Sequence, residues 1–95
     1  MAIGVAPLVI DYAGPGELVT EGLGVKVPIG TRDEIIAAFR EALIALAADP
    51  AELAAMGERG RTHIAAKFTW ARKAEQVLEV YAWVLGQRED RPEFF

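Results

Sequence analysis

The 95 residues contain no cysteine and a single histidine, His63. Disulfides, iron–sulfur clusters and thiolate zinc sites are therefore excluded, and a self-contained histidine metal site is not expected. The lack of cysteine fits a reducing cytoplasm, though exported proteins can share it. No run approaches the ~18 apolar residues of a membrane span. The longest weakly polar stretch, Ala42 to Ala48, is alanine-rich and helical in character. Met1 to Leu8 lacks a basic start and is interrupted by Gly4 and Pro7, so it does not read as a signal peptide. An excess of positive charge is also missing. With 10 basic and 14 acidic residues the net charge is -4, which argues against nucleic acid or an anionic membrane as the main partner. Apolar residues are not scarce: at 53% hydrophobic and 25% charged, the chain has the composition of a folding domain or part of one.

What is present is a strand, a glycine turn and a helix start. Pro7 to Tyr12 reads as a short buried strand, because Leu8, Val9 and Ile10 are consecutive and apolar. Pro7 is tolerated only at its start, and Asp11 ends it with a charge. Gly14-Pro15-Gly16 forms a turn that opens a short helix over about Pro15 to Thr20, with Pro15 first and Glu17 facing the free amides. Glu21 to Gly24 is a second turn, and Val25 to Pro28 a second short strand. Thr31-Arg-Asp-Glu34 is a capping box that starts a helix to about Ala48. Ile35, Ile36, Phe39, Leu43, Leu46 and Ala47 line one of its faces, with Phe39 expected in the core.

Asp49-Pro50-Ala51-Glu52 caps the next helix, which runs to about Lys67. Leu53, Met56, Gly57, Gly60 and Ile64 share a face there. The two glycines cost helix propensity, about 1 kcal/mol each where exposed, so they are expected to serve close approach to another element. Thr69 caps a last helix, Trp70 to Leu85, ended by Gly86. Ala74, Val77, Leu78, Tyr81, Val84 and Leu85 form its expected buried stripe, with Trp70 and Tyr81 as core anchors. The tail from Gln87 is charged and closes on Phe94-Phe95, as a loose end or a strap. The expected class is α/β: a partial Rossmann-like unit with two short parallel strands, one short helix and three long ones. Two such strands make a poor sheet alone, and the helices, including Val80 and Trp83, carry more apolar surface than it can cover. That pattern favours missing elements or self-association.

A strand, a glycine turn and a helix start are the usual edge of a ligand crevice in an open α/β sheet. Taken in order, these segments resemble the C-terminal end of retaining, nucleotide-sugar-dependent glycosyltransferases of the two-domain GT-B fold (group 1, or family 4). That family commonly reads Glu-Ala-Met-Ala-x-Gly-x-Pro, an apolar strand, Gly-Gly-x-x-Glu-Leu-Val, a glycine turn and a Val-Pro strand end. Here those positions are Met1 to Pro7, Leu8 to Asp11, Ala13 to Val19, and Gly24 to Pro28. The family's Asp-Pro-x-x-Leu-x-x-Met-Gly-x-x-Gly-Arg helix is matched by Asp49, Pro50, Leu53, Met56, Gly57, Gly60 and Arg61, and its Phe-Thr-Trp element by Phe68-Thr69-Trp70. The resemblance covers about Met1 to Leu85. Ala13 stands where the family has the first glycine of its pair. The family's two glutamates, seven residues apart, belong upstream, the second two positions before Met1. Its Arg/Lys pair for the donor diphosphate, its opening glycine loop and its acceptor domain have no counterpart in these residues.

The resemblance implies that residues 1–86 are the C-terminal part of a nucleotide-sugar-binding domain, with 87–95 a charged tail. The parent would take a UDP-, GDP- or ADP-sugar donor and transfer the sugar to an acceptor hydroxyl in the cytoplasm, at a membrane surface if the parent binds there. The fragment would be inactive alone, with the rest of the parent as its partner. The implied donor-binding wall is Gly14, Pro15, Gly16 and Glu17; no catalytic residue and no metal ligand is assigned. The residues themselves leave alternatives open. Gly14 and Gly16 bring amides to a ligand or simply make a tight turn. Glu17 supports a site or caps its own helix. Asp11 sits where functional residues often sit or is a polar strand stop. Lys26 offers a cation to phosphate or faces solvent. Arg59, Arg61, Lys67, Arg72 and Lys73, interleaved with Glu58 and Glu75, read as a solvated helix face, and His63 lacks a catalytic companion. The rival reading of the whole chain is a non-enzymatic helical module that docks to a partner or forms a homodimer.

Overall fold

The computed structural model describes residues 1–94. Its element order is β1 (Leu8–Ile10), α1 (Ala13–Leu18), β2 (Val25–Val27), α2 (Arg32–Ala48), α3 (Pro50–Lys67) and α4 (Trp70–Val84). The two strands pair in parallel, Leu8 with Val25, Val9 with Lys26 and Ile10 with Val27. A parallel pair cannot be joined by a tight turn, and here α1 makes the crossover. This is a βαβ unit with further helices, an α/β, partially Rossmann-like arrangement. Flanking backbone bonds extend the ladder at both ends: the Val25 amide donates to the Pro7 carbonyl (2.9 Å) and the Asp11 amide to that of Val27 (2.8 Å).

The chain divides into two compact units, Met1–Thr62 and the residues from His63 onward, with α3 beginning in the first and ending in the second. In the first unit α1 packs on β1, and α2 on both strands. Its core is small: Val19, Leu23, Val27 and Met56 are the buried hydrophobic residues among those described. Glycine makes the packing close enough to form that core. A side chain on Gly57 of α3 would collide with the Gly4 carbonyl oxygen, and one on Gly24 would lie 2.6 Å from Pro7 and 2.8 Å from Val19. The close approach expected of Gly57 is therefore present. Gly60 is buried too, but the nearest atom to its would-be Cβ is Met1 Cε at 3.4 Å, an ordinary contact.

The helix starts follow local chemistry. Thr31 accepts from the Glu34 amide (3.3 Å) while the Glu34 carboxylate accepts from the Thr31 amide (2.7 Å), a complete capping box. Asp49 accepts from the Glu52 amide (3.1 Å) at the start of α3, and Thr69 from the Arg72 amide (3.2 Å) at the start of α4. Two expectations need correction. Helix α1 begins at Ala13, not Pro15, because Ala13 adopts φ +48° and turns the chain into the helix directly. Glu17 then falls beyond the first turn and does not cap it; Tyr12 at the cap position makes no side-chain bond. The α4 stripe is the second. Val77, Leu78, Tyr81 and Val84 are exposed, as are Trp70 at 91% and Leu85 just past the helix end. Trp70 and Tyr81 are not core anchors, since no described layer covers that face. On α2, Phe39 is half-buried while Ile36, Leu43 and Ala47 are exposed.

The second unit is organised around Phe68. The His63 ring lies 5.7 Å from it, tilted by 44°, and the Lys73 ammonium sits 4.7 Å above its centroid. Gly86, at φ +70°, ends α4 as its sequence suggests, its amide donating to the Trp83 carbonyl (3.1 Å). The tail is held at Arg88, which pairs with Glu79 on α4 (2.6 Å), and Pro92 is buried. Phe94 is half-buried; Phe95, the other half of the aromatic close, lies outside the described residues.

Candidate functional site

The site is built where the parallel strands end. At the carboxyl end of β1 the chain passes through Asp11 and Tyr12 into α1, and at the end of β2 through Pro28 and Ile29 toward the capping box. Those segments, with one face of α2, border an open, shallow groove of about 590 Å³. It is lined by Val9, Ile10, Tyr12, Ala13, Pro15, Ile29, Ile35 and Phe39, and is almost wholly apolar. The size matches small-molecule sites, and so does the placement at strand carboxyl ends.

Of the four residues expected to form a donor wall, Pro15 lines this groove and Gly14, Gly16 and Glu17 do not. The two glycines differ. A Cβ on Gly14 would meet open space. A Cβ on Gly16 would lie 2.7 Å from Asp11 Oδ1 and 3.2 Å from the Asp11 carbonyl carbon, so a larger residue there would displace the Asp11 carboxylate and crowd the strand end. Glu17 is exposed.

Asp11 and Lys26 are brought together beside that turn. Lys26 stands opposite Val9 in the ladder, and its ammonium reaches Asp11 Oδ1 at 3.3 Å and donates to the Gly16 carbonyl at 2.9 Å. Lys26 is exposed, as expected of a solvent-facing strand residue, but its ammonium is committed to Asp11 and Gly16 rather than free for a phosphate. Its side chain is 32% exposed and that of Asp11 53%, so the ion pair is partly screened and of modest worth. Sequence reasoning treated the two residues separately. The signal that joins them is the parallel register, which sets a β2 side chain beside the end of β1. Tyr12, Ile29 and Phe39 as groove lining are not evident from the sequence, where Tyr12 reads as the end of a strand, Phe39 as core, and Ile29 carries no pattern of its own.

The basic stretch behaves as a solvated face. Arg59 pairs with Glu52 (2.5 Å) and donates to the Gly22 carbonyl (2.9 Å), while Arg72 pairs with Glu75. Arg61 pairs with Glu58 at 2.5 Å, and its hydrogen bonds hold the Glu58 carboxyl below the usual glutamate range while the pairing raises the Arg61 guanidinium. In the second unit a cavity of about 360 Å³ is lined by Lys67, Arg72, Gln76, Glu79, Glu93 and Phe94. Its Arg72 and Glu79 are already committed to Glu75 and Arg88. Among the described residues no group of three or more His, Asp or Glu could hold a metal ion, and no helix is long and apolar enough to cross a membrane.

The chain is 34% identical over 84 residues to proteins named alpha-maltose-1-phosphate synthase from two strains of Mycobacterium tuberculosis and, at the same identity and length, from Mycolicibacterium smegmatis. The match covers 85% of this chain and 22% of each relative, so the chain spans about a fifth of the length of the curated relatives it matches. No protein-family profile matches, and no solved structure does.

Proposed function

We propose that this chain is part of a nucleotide-sugar glycosyltransferase and supplies one wall of its donor crevice. The observation that carries the reading is the 34% identity over 84 residues to alpha-maltose-1-phosphate synthases. The order of strand, glycine turn, helix and capped helices supports it, as does a groove at the strand carboxyl ends. In the whole enzyme a sugar moves from a nucleoside diphosphate, with UDP, GDP and ADP as the candidate carriers, to an acceptor hydroxyl. The glycosyl–phosphate bond breaks and a glycosyl–oxygen bond forms. The work of such a site is to hold the leaving diphosphate and to stabilise the charge that develops on it. No nucleophile is assigned to this chain. Its contribution is positional: the Gly14–Glu17 turn as a rigid edge, and the apolar groove beside it as a surface for the flat part of a nucleotide. The rest of the glycosyltransferase is its partner, of the GT-B kind that the sequence resembles, and the location is cytoplasmic.

The test is a graft. The matched 84-residue stretch of the Mycolicibacterium smegmatis enzyme is replaced by the corresponding residues of this chain. A folded chimera that retains sugar transfer supports the reading, and a folded chimera that binds no nucleotide opposes it. The isolated chain should show no transfer.

A second reading has one observation in its favour. The exposed Val77, Leu78, Tyr81 and Val84 on α4 suit a helical module that docks to a partner or to its own copy. Sedimentation of a compact monomer at high concentration would remove the self-association form of it.

A further inference from the structure

We infer that Lys26 is a positioning residue that fixes the Gly14–Glu17 turn against the ends of the sheet. Helix α1 has little of its own to hold it. It is six residues long, it lacks a side-chain cap at Tyr12, and it starts from Ala13 in a left-handed conformation that an alanine adopts at a cost. Three separate stretches meet beside it. The Lys26 ammonium on β2 donates to the Gly16 carbonyl at 2.9 Å and pairs with Asp11 at the end of β1 at 3.3 Å. The same Asp11 oxygen occupies the space where a Gly16 side chain would be. An ammonium has three donors and no acceptor, so one lysine can tie a carbonyl and a carboxylate at once. A hydrogen bond from an ionised donor to a backbone carbonyl is stronger than a neutral one. Lys26 thus adds a side-chain tie between β1, α1 and β2 to the few backbone bonds that hold this short helix at the sheet end. Its functional consequence rests on the reading of this turn as a donor wall; the positioning itself does not.

Two backbone bonds report the state of the turn: the Gly16 amide donates to the Tyr12 carbonyl (3.2 Å) and the Val19 amide to that of Pro15 (3.1 Å). Hydrogen exchange at these amides is compared in the full chain and in Lys26→Met, which keeps the apolar stem and loses the donors. Exchange at Gly16 and Val19 should rise about tenfold, with the α3 amides near Met56 unchanged. Lys26→Arg, which keeps the positive charge and offers several donors, should restore most of the protection. Should Lys26→Met fail to fold, Asp11→Asn removes the ion pair and keeps the Gly16 bond, and should give a smaller rise. Unchanged exchange at both amides in a folded variant, or no rescue by arginine, overturns the inference. Titration with UDP, GDP and ADP separates the functional consequence. Weaker binding in Lys26→Met, rescued by Lys26→Arg, supports it. If the unsubstituted chain binds none of the three, the donor-wall reading fails, while the exchange result still decides the role of Lys26.

Discussion

Replacing Gly57 by alanine should destabilise the chain, although the same change in an exposed helix would stabilise it. Alanine gains about 1 kcal/mol over glycine inside a helix. At Gly57 the new methyl would meet the Gly4 carbonyl oxygen at once, with the carbonyl carbon 2.9 Å away and the Ala6 nitrogen 3.7 Å away. All three are backbone atoms, so no rotamer change relieves the collision. The N-terminal turn is held as well, since the Gly4 amide donates to the Met1 carbonyl (2.9 Å) and Gly4 has φ +82°. Overpacking of this kind costs roughly 3 kcal/mol at the upper end of its usual range. The net loss is then about 2 kcal/mol. Gly60→Ala is the internal control: it lies on the same helix, shares the unfolded-state effect of losing a glycine, and meets nothing closer than 3.4 Å. It should be neutral or stabilising by about 0.5 kcal/mol. Urea unfolding followed by far-ultraviolet circular dichroism gives both midpoints. Equal midpoints for the two variants would refute the reasoning, and would mean that the N-terminal segment does not pack on α3.

Three further changes probe other parts of the structure. Ala13→Gly should stabilise by roughly 0.5–1 kcal/mol, the relief of the left-handed backbone less the extra chain entropy of glycine, read as a raised thermal midpoint. Gly24→Ala should cost more than 1 kcal/mol in urea unfolding, because Pro7 and Val19 leave no room for a methyl. Glu58→Gln should flatten the acid side of the stability curve. The folded Glu58 carboxyl lies below its unfolded value, so its pairing with Arg61 contributes at neutral pH and is lost as pH falls through the folded value. The difference between parent and variant should therefore shrink on acidification, and a constant difference across the range would contradict that sign.

What could be read from the residues, and what could not, divides by the range of the interaction. The starts of α2, α3 and α4 were legible because a threonine or aspartate and the amide it accepts from are three residues apart. The glycines of α3 suggest a close approach because glycine costs helix propensity, but only Gly57 makes one; Gly60 meets nothing closer than 3.4 Å. The start of α1 was not, because an alanine gives no sign that it will take φ +48°. The pairing of Asp11 with Lys26 was hidden for a different reason. It depends on a parallel register between segments 15 residues apart in sequence, and neither residue alone signals it. The apolar stripe on α4 was legible as a pattern and misread as burial. Periodicity shows that a helix has an apolar face; it does not show that the chain supplies a layer to cover it. The groove escaped notice because Tyr12 and Ile29 come from turns and Phe39 from a helix, and only the fold assembles them.

The most direct test of the account is a titration of the isotopically labelled chain with UDP, GDP and ADP, followed by amide chemical shifts. The account predicts saturable shifts for at least one nucleotide, centred on Asp11 to Val19 and on Lys26 to Ile29 around the groove, with the α4 amides unmoved. A well-dispersed spectrum that no nucleotide changes would contradict the claim that this edge of the sheet is a wall of a donor site.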